Sequence, residues 1–317
     1  MEAISELPFH RFTHRYSIAY HYSMSYKGAM SVSPTSFLGL EHKTVLVAGG
    51  GGGIGTEIAR TLAECQARVL IADMNSERAH AVSNELARSG ASTSAYQLDV
   101  TSDTSIAQLF KQMRETHEDL FGVVNCVGVV GAGTARECSL GEYQRQIEVN
   151  CYGAMRLARA FTSHLAETTP PNDAVKDKDV VRGSYVYISS IAADLAIPER
   201  DPYCVSKAAG QAFHLNLANE VASLGINVNV VLPGRTDTPS AAERARSSDS
   251  AAEQMYATQR RAGMIPAHTV AKTCAFLLSP HLVGFSGQKI TIAEGADTTY
   301  RPSYEALERV KTGVHST

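Results

Sequence analysis

The sequence has no tryptophan, no long apolar run, no closely paired cysteines and no excess of one charge. Its 317 residues include 29 Lys and Arg against 32 Asp and Glu, which gives a formal net charge of −3. This balance argues against nucleic acid as a partner, because phosphate backbones are bound by clustered basic side chains. Since no run of about 18 apolar residues occurs, we also expect no membrane-spanning helix and no membrane partner.

The six cysteines are irregularly spaced and form no C-x-x-C pair, which favours neither a disulfide framework nor a zinc site. His10 and His14 have the spacing of metal ligands, but no third ligand lies near them in the sequence. An acceptor site for N-linked glycosylation is also absent, which fits a protein that is not secreted. We therefore predict no metal site and a cytoplasmic location.

The first 40 residues differ in composition from the rest of the chain. They are rich in Tyr, Ser and His, and these residues break any apolar run of the kind that a signal peptide needs. Three basic residues would suit an organellar presequence, whereas two acidic ones count against it, so organellar targeting stays open. We predict that residues 1–40 form a flexible extension.

From Glu41 onward, short apolar runs alternate with stretches of helical periodicity. Apolar strands that alternate with helices are typical of an α/β fold, in which helices cover both faces of a parallel sheet. The predicted strands are 44–48, 68–72, 94–98, 121–125, 184–188, 226–232 and 289–293. The predicted helices are 54–65, 76–89, 103–117, 145–166, 203–223 and 269–278. We assign residues 41–300 to one catalytic domain and residues 301–317 to a C-terminal tail.

Two segments interrupt this alternation. Residues 168–183 contain two prolines and many charges, which predicts an exposed loop. Residues 239–267 are rich in Ala, Ser and Arg and lie between a strand and a helix, so we predict a variable, mobile substrate lid there. Its few large apolar residues, among them Met255 and Tyr256, would then face an apolar or ring-bearing substrate.

Five consecutive glycines follow the first predicted strand and open the first predicted helix. Glycine lets the backbone approach a pyrophosphate, whose charge is stabilised by the N-terminus of the helix. The run from Gly49 to Gly53, followed by Ile54 and Gly55, therefore predicts a dinucleotide site. A P-loop is excluded because no Gly-Lys-Ser/Thr comes after the glycines.

Asp73 ends the second predicted strand, 18 residues after Gly55. This is about the spacing at which an acid accepts hydrogen bonds from the adenosine ribose hydroxyls of a dinucleotide. The carboxylate would repel a 2′-phosphate, and neither Gly52 nor Met74 supplies a basic side chain to hold one. We therefore predict that the cofactor is NAD and that NADP is less favoured.

Tyr203 and Lys207 are four residues apart, which places both side chains on one face of a predicted helix. A nearby ammonium stabilises phenolate and lowers the pKa of a tyrosine toward working pH. The tyrosine can then act as general base for an alcohol or general acid for a ketone. Ser189 and Ser190 close the fifth predicted strand, and Ser190 precedes Tyr203 by 13 residues.

Together with Asn150, these features resemble the short-chain dehydrogenase/reductase family over roughly residues 41–297. The resemblance implies a catalytic tetrad of Asn150, Ser190, Tyr203 and Lys207, with the second serine of the pair as the catalytic one. It also implies cofactor contacts at Gly49, Gly53, Ile54, Gly55, Asp73, Asp99, Val100, Asn125, Gly128, Tyr203, Lys207, Pro233, Thr236 and Thr238. Some positions depart from the family pattern: Ala48, Cys126, Val127, Ala193 and the run Ala293-Glu294-Gly295.

The family's fold would be one doubly wound Rossmann domain with seven parallel strands in the order 3-2-1-4-5-6-7. Its implied activity is NAD-dependent hydride transfer that interconverts a secondary alcohol and a ketone. In that mechanism Ser190 would hold the substrate oxygen, Tyr203 would exchange the proton, and Lys207 would bind the nicotinamide ribose. Asn150 would hold a water that relays protons to solvent. A homo-oligomer, tetramer or dimer, would form through helices 145–166 and 203–223.

Two other functions stay open. The first is a catalytically inactive NAD-binding scaffold or sensor, against which the complete tetrad argues. The second is a non-redox epimerase or dehydratase, which usually needs a larger substrate domain than residues 239–267 would supply. Arg200 and Arg235 flank the predicted site and would suit an anionic substrate, although surface arginines are common. The substrate itself and the physiological direction are not encoded in the fold.

Overall fold

A computed structural model describes residues 36–116, 119–168, 180–239, 241–242 and 264–293. Most of the predicted N-terminal extension, most of the predicted loop at 168–183, most of the predicted lid and the C-terminal tail lie outside this part of the chain. The predictions about His10, His14, Met255 and Tyr256 therefore stay predictions. Strands and helices are numbered in the order in which they occur among the described residues.

The core of the molecule is a seven-stranded parallel sheet. Its strands are β1 (Thr44–Ala48), β2 (Arg68–Asp73), β3 (Thr93–Gln97), β4 (Leu120–Asn125), β5 (Gly183–Ile188), β6 (Ile226–Pro233) and β9 (Lys289–Ile292). They lie in the order β3-β2-β1-β4-β5-β6-β9, and every neighbouring pair is parallel. The predicted order 3-2-1-4-5-6-7 is confirmed, with β9 as the seventh strand.

Helices cover both faces of the sheet. They are α1 (Gly53–Glu64), α2 (Ser76–Arg88), α3 (Asp103–Glu115), α4 (Leu140–Ile147), α5 (Ala154–Thr168), α6 (Asp201–Glu220) and α7 (Ala267–Leu277). One apolar cluster joins α1, α2 and α7 to one face, and a second joins α3, α5 and α6 to the other. Because β1, β4, β5 and β6 are buried along their whole length, they are mostly apolar in sequence on both faces.

Several helix starts are explained by local side chains. Asn75, Ser102 and Ser139 each precede a helix, and each side-chain oxygen accepts a hydrogen bond from a backbone N–H in the first turn. Such caps satisfy amides that have no partner inside the helix. They explain why α2 and α3 begin at the predicted positions, and why α4 begins at Leu140.

The predicted helix 145–166 needs a correction. The helical span begins at Leu140, and α4 and α5 are joined by a π-helical turn over Glu148–Gly153. A π-helical turn inserts an extra residue, and such turns often occur at functional sites. Apolar periodicity does not reveal one, because only the single turn departs from the 3.6-residue repeat. Asn150 lies within this turn.

Two short strands form a separate parallel pair. They are β7 (Thr236–Asp237) and β8 (Ile265–Pro266), with Thr236 opposite Ile265 and Asp237 opposite Pro266. The pair joins the two ends of the segment predicted as a lid. Among the described helices, none has the length and apolar character needed to span a bilayer.

Candidate active site

A cavity of about 390 Å³ lies at the carboxyl ends of the central strands, where the glycine run meets the start of α6. In doubly wound sheets this is the edge at which ligands bind, because the strand order reverses between β1 and β4. The predicted site residues that line it are Gly49, Gly53, Ile54, Gly55, Gly128, Ser190, Tyr203, Lys207, Pro233, Thr236 and Thr238. Those that lie outside the lining are Asp73, Asp99, Val100, Asn125 and Asn150.

The glycine loop leads into the N-terminus of α1. Gly52 precedes the helix, and no side chain caps its first turn, so its amides are available to a ligand. A Cβ atom added at Gly55 would lie 2.1 Å from the carbonyl oxygen of Gly49, so only glycine lets the loop close onto the helix. This cradle fits the pyrophosphate of a dinucleotide.

Asp73 is fixed against the glycine loop. Its carboxylate accepts hydrogen bonds from the backbone N–H of Gly51 at 3.1 Å and from that of Asn75 at 2.9 Å. Arg78, which the sequence analysis did not single out, is close by: a Cβ added at Gly51 would lie 2.7 Å from the Cβ of Arg78. In the sequence, the only sign of Arg78 was a basic residue in the first turn of the helix that follows Asp73.

The residues after β3 and β4 shape turns around the cavity. Asp99 accepts hydrogen bonds from the backbone and hydroxyl of Thr101 at 2.9 and 2.7 Å, whereas Val100 is buried. The amide of Asn125 donates to the Tyr185 hydroxyl at 3.1 Å and accepts from the Val127 N–H at 3.1 Å. These contacts hold the two turns, and direct cofactor contacts of Asp99, Val100 and Asn125 stay predictions.

Lys207 lies under the cavity, one helical turn from Tyr203. Its Nζ donates to the carbonyl of Ile188 at 2.9 Å and lies 6.0 Å from the centre of the Tyr203 ring. The Lys207 side chain is buried, and desolvation lowers its pKa to about 8. The predicted tyrosine–lysine pair is therefore assembled on one face of α6, at the end of β5.

The two serines after β5 have different surroundings. Ser190 is half-buried, lines the cavity and accepts a hydrogen bond from the Ala192 N–H at 3.1 Å. Ser189 also lines the cavity, but it is buried and its hydroxyl donates to the carbonyl of Lys207 at 3.4 Å. This arrangement favours Ser190 over Ser189 as the residue that meets a substrate oxygen.

Asn150 lies behind the cavity. Its side chain bonds both backbone groups of Val129, at 2.8 Å from the N–H and 2.9 Å to the carbonyl, and donates to the Ser206 hydroxyl at 2.9 Å. The side chain thereby ties the π-helical turn to the loop after β4 and to α6. Its main-chain carbonyl accepts a hydrogen bond from the Tyr187 hydroxyl at 2.8 Å, a contact that the sequence analysis missed.

Thr236 and Thr238 form the opposite rim. The Thr236 hydroxyl donates to the carbonyl of Gly234 at 3.2 Å, and the Thr238 hydroxyl accepts from the Ala241 N–H at 3.2 Å. A Cβ added at Gly53 would lie 2.7 Å from the Cβ of Thr238, so this rim packs directly on the glycine loop. Cofactor and rim would therefore be in contact.

The lining carries positive charge. Arg200, Arg235 and Lys207 line the cavity, and the described lining residues include no Asp or Glu. No group of three His, Cys, Asp or Glu side chains suited to a metal ion is found within the described ranges. The cavity thus combines an anion-binding loop with acid–base and hydroxyl groups.

Comparisons with known proteins agree with this fold. A family model described as enoyl-(acyl carrier protein) reductase matches residues 49–297. Chanoclavine-I dehydrogenase from Claviceps purpurea is 31% identical over 262 residues, which cover 79% of this chain and 96% of that protein. A short-chain type dehydrogenase/reductase from Mycobacterium ulcerans superposes with a TM-score of 0.74 at 25% identity, covering 85% of this chain and 95% of the other.

A further solved structure is actinorhodin polyketide ketoreductase with NADPH. It superposes with a TM-score of 0.71 at 26% identity, covering 81% of this chain and 98% of the other.

Proposed function

Since this chain belongs to the short-chain dehydrogenase/reductase family, we propose that it catalyses NAD-dependent interconversion of a secondary alcohol and a ketone. Its relatives are dehydrogenases and reductases, which makes it an oxidoreductase of this family. The observation that carries the finer proposal is the presence of Tyr203, Lys207 and Ser190 in the lining of one cavity together with the glycine loop.

The residues at the glycine loop fit a nicotinamide dinucleotide. The open N-terminus of α1 and the cradle at Gly55 suit its pyrophosphate, and Asp73 suits the adenosine ribose. Lys207 would hold the nicotinamide ribose, and Thr236 and Thr238 would hold the carboxamide. When bound, the nicotinamide accepts or supplies the hydride.

The chain's own residues would handle the substrate oxygen and its proton. The Ser190 hydroxyl would orient that oxygen toward Tyr203. The Tyr203 hydroxyl would take the proton of an alcohol, or return it to a ketone, and the Lys207 ammonium would stabilise the phenolate. Asn150, through its place in the π-helical turn, would keep the proton path from Lys207 in position.

We favour NAD over NADP because the Asp73 carboxylate is fixed at the site expected for the 2′-position of the adenosine ribose. A related ketoreductase was solved with NADPH, and Arg78 beside Asp73 offers a basic side chain. The preference for NAD therefore depends on the carboxylate. We also expect a small-molecule substrate, a homo-oligomer and a cytoplasmic location.

The direct test is turnover. Purified protein would be incubated with NAD or NADP and a panel of cyclic, aromatic and aliphatic secondary alcohols, and reduced cofactor would be followed by absorbance. We expect turnover with NAD, and Tyr203→Phe should lower it roughly 10²–10⁴-fold, the usual contribution of one acid–base group. NAD binding by this variant should persist because the ring stays.

Two results would contradict the proposal. Nearly full activity of the Tyr203→Phe variant would show that the Tyr203 hydroxyl does not exchange the proton. Binding of NAD without turnover of any alcohol or ketone would instead favour the scaffold or sensor. NAD that stays bound through purification, together with such inactivity, would favour an epimerase or dehydratase that recycles its nucleotide.

A further inference from the structure

A buried tyrosine of β5, Tyr187, contacts two residues of the candidate site. Its hydroxyl donates to the main-chain carbonyl of Asn150 at 2.8 Å, and its ring centre lies 5.1 Å from the Nζ of Lys207. The Tyr187 side chain is fully buried, and desolvation raises its pKa, so that the hydroxyl stays a neutral donor. One side chain thus touches two of the four proposed catalytic residues.

The position of the Tyr187 ring is fixed by its neighbours. His214 stacks on it with 4.1 Å between ring centres and 6° between planes, and a His214 ring nitrogen lies 2.7 Å from the carbonyl of Gly210. A Cβ added at Gly210 would lie 2.5 Å from the Tyr187 hydroxyl oxygen and 3.0 Å from the Asn150 carbonyl oxygen. Glycine at 210 therefore leaves the space in which the two groups meet.

We propose that Tyr187 is a positioning residue of the active site, whose hydroxyl fixes the π-helical turn at Asn150 and whose ring holds the Lys207 ammonium. This inference rests on the proposed function, in which a charged Lys207 supports Tyr203. It goes beyond the tetrad because it assigns separate tasks to the two parts of a side chain outside it.

The surroundings of Lys207 make the ring contact important. The titratable groups that face it are Tyr203 and His214 from α6, Tyr187 from β5 and Cys126 after β4. His214 is buried and its pKa is lowered to about 4, so it carries no charge at neutral pH. Since these described neighbours include no carboxylate, the face of the Tyr187 ring offers an electrostatic attraction that partly offsets the desolvation of the ammonium.

The ring is tested by a measurement that needs no turnover. The pKa of Lys207 would be read from NMR of the lysine ε-carbons, with Lys207→Met to assign the signal. We expect Tyr187→Leu to lower that pKa by about half to one unit, the scale of one buried cation–π contact, while Tyr187→Phe leaves it in place. If Tyr187→Leu fails to fold, Tyr187→Met removes the ring in its stead.

The hydroxyl is tested by kinetics. Tyr187→Phe should lower kcat roughly 10-fold and leave the KM for NAD unchanged, because it deprives only the buried Asn150 carbonyl of its donor. Tyr185→Phe is the matched control: it removes another buried hydroxyl from the same strand, one that contacts Asn125. This control should leave both the Lys207 pKa and kcat near those of the parent protein.

Each half of the proposal can fail separately. If a folded variant without the ring has the same Lys207 pKa as the parent protein, the role of the ring is wrong. If Tyr187→Phe has the same kcat as the parent protein, the role of the hydroxyl is wrong. A kcat that falls equally in Tyr185→Phe and Tyr187→Phe also overturns the latter, since any buried hydroxyl would then do. If the parent protein turned over no alcohol, the proposed function would fail, while the NMR measurement would still decide the role of the ring.

Discussion

At the residue scale, Lys207 couples the chemistry of the site to the stability of the fold. A lysine in an unfolded chain keeps its proton to about pH 10.4, whereas burial lowers the pKa of Lys207 to about 8. Between these values the unfolded state binds more protons, so this residue makes the free energy of unfolding rise with pH. Below pH 8 the folded protein bears the full cost of a buried charge.

Lys207→Met should therefore raise the melting temperature more at about pH 7 than at about pH 9.5, measured without cofactor. The substitution also removes the hydrogen-bond donor of the Ile188 carbonyl. This loss occurs at both pH values, so the comparison between them reports mainly on the charge of Lys207. Lys289→Met is the control, since Lys289 forms a partly exposed ion pair with Asp194. A pH-independent difference for Lys207→Met would mean that Lys207 is not desolvated in the folded protein.

A second prediction concerns Asp73 and its neighbour Arg78. Asp73→Ala should weaken NAD binding and strengthen NADP binding, shifting the ratio of dissociation constants roughly 10-fold or more, and adding Met74→Arg should shift it further. Because Arg78 and Asp73 both lie next to Gly51 of the glycine loop, Arg78→Ala in the Asp73→Ala background should reverse part of the gain. Fluorescence titration of both cofactors measures this; tighter NADPH than NADH binding by the parent protein would refute it.

Residues that recur at fixed spacing could be predicted from the sequence, and those that act through contacts could not. Tyr203 and Lys207 lie one turn apart on one helix, so their proximity is a consequence of helix geometry. Tyr187 and Asn150 are 37 positions apart and meet only because β5 packs against the π-helical turn. Ser189 and Ser190 both line the cavity, and they are told apart only by their hydrogen bonds in the folded chain.

At the element scale, the junction between the glycine loop and α1 has little room. Gly55→Ala would place a methyl group 2.1 Å from the Gly49 carbonyl oxygen, so the loop must move away from the helix. We expect a clear loss of melting temperature, by several degrees, and weaker NAD binding. Gly52→Ala is the matched control, because its Cβ would have 3.4 Å to the nearest atom and its backbone is extended.

Equal melting temperatures for Gly55→Ala and Gly52→Ala would show that the loop tolerates the methyl group and that the tight junction is not required. The comparison separates the packing of the loop from the general preference of glycine for flexible positions, since Gly52 and Gly55 both lie where the glycine loop meets α1.

Strands were the easiest elements to predict, because buried parallel strands are apolar on both faces. The caps at Asn75 and Ser102 were recognised only in the folded chain, although each is supplied by a single residue. The start of α4 and the π-helical turn were not predicted, because apolar periodicity does not register a single wide turn. The turn at Asn150 is therefore recognised only from the backbone hydrogen bonds of the folded chain.

At the scale of the whole molecule, only part of the apolar surface is available on the two helices predicted to pair between subunits. Of their apolar residues at helical spacing, Phe213 is half-buried, whereas the others are buried inside the subunit: Ala154, Leu157, Ala158, Phe161, Leu217 and Val221. Exposed apolar side chains remain near them on the same helical stretches: Tyr152 is 50% and Val205 is 42% exposed. A homo-oligomer through these elements would use that pair instead.

We predict that light scattering gives the parent protein a mass of two or more times the 34.0 kDa subunit mass. Val205→Glu should lower that measured mass. Leu140→Glu is the control, because Leu140 is 78% exposed at the start of α4. A single-subunit mass for the parent protein at micromolar concentration would contradict the prediction, and equal masses for parent and Val205→Glu would place the contact elsewhere.

The short β7–β8 pair holds the two ends of the segment predicted as a lid close together. Paired strands lie about 4.8 Å apart, so Asp237 and Pro266 lie within a small distance of each other. The entropy of closing a loop between fixed ends grows only with the logarithm of its length. Segments of different length and composition can therefore be grafted between Thr238, which packs on the glycine loop, and Ile265, while the sheet and the glycine loop keep their positions. If that segment faces the substrate, as predicted, exchanging it would give the protein a new substrate and leave the proposed catalytic residues unaltered.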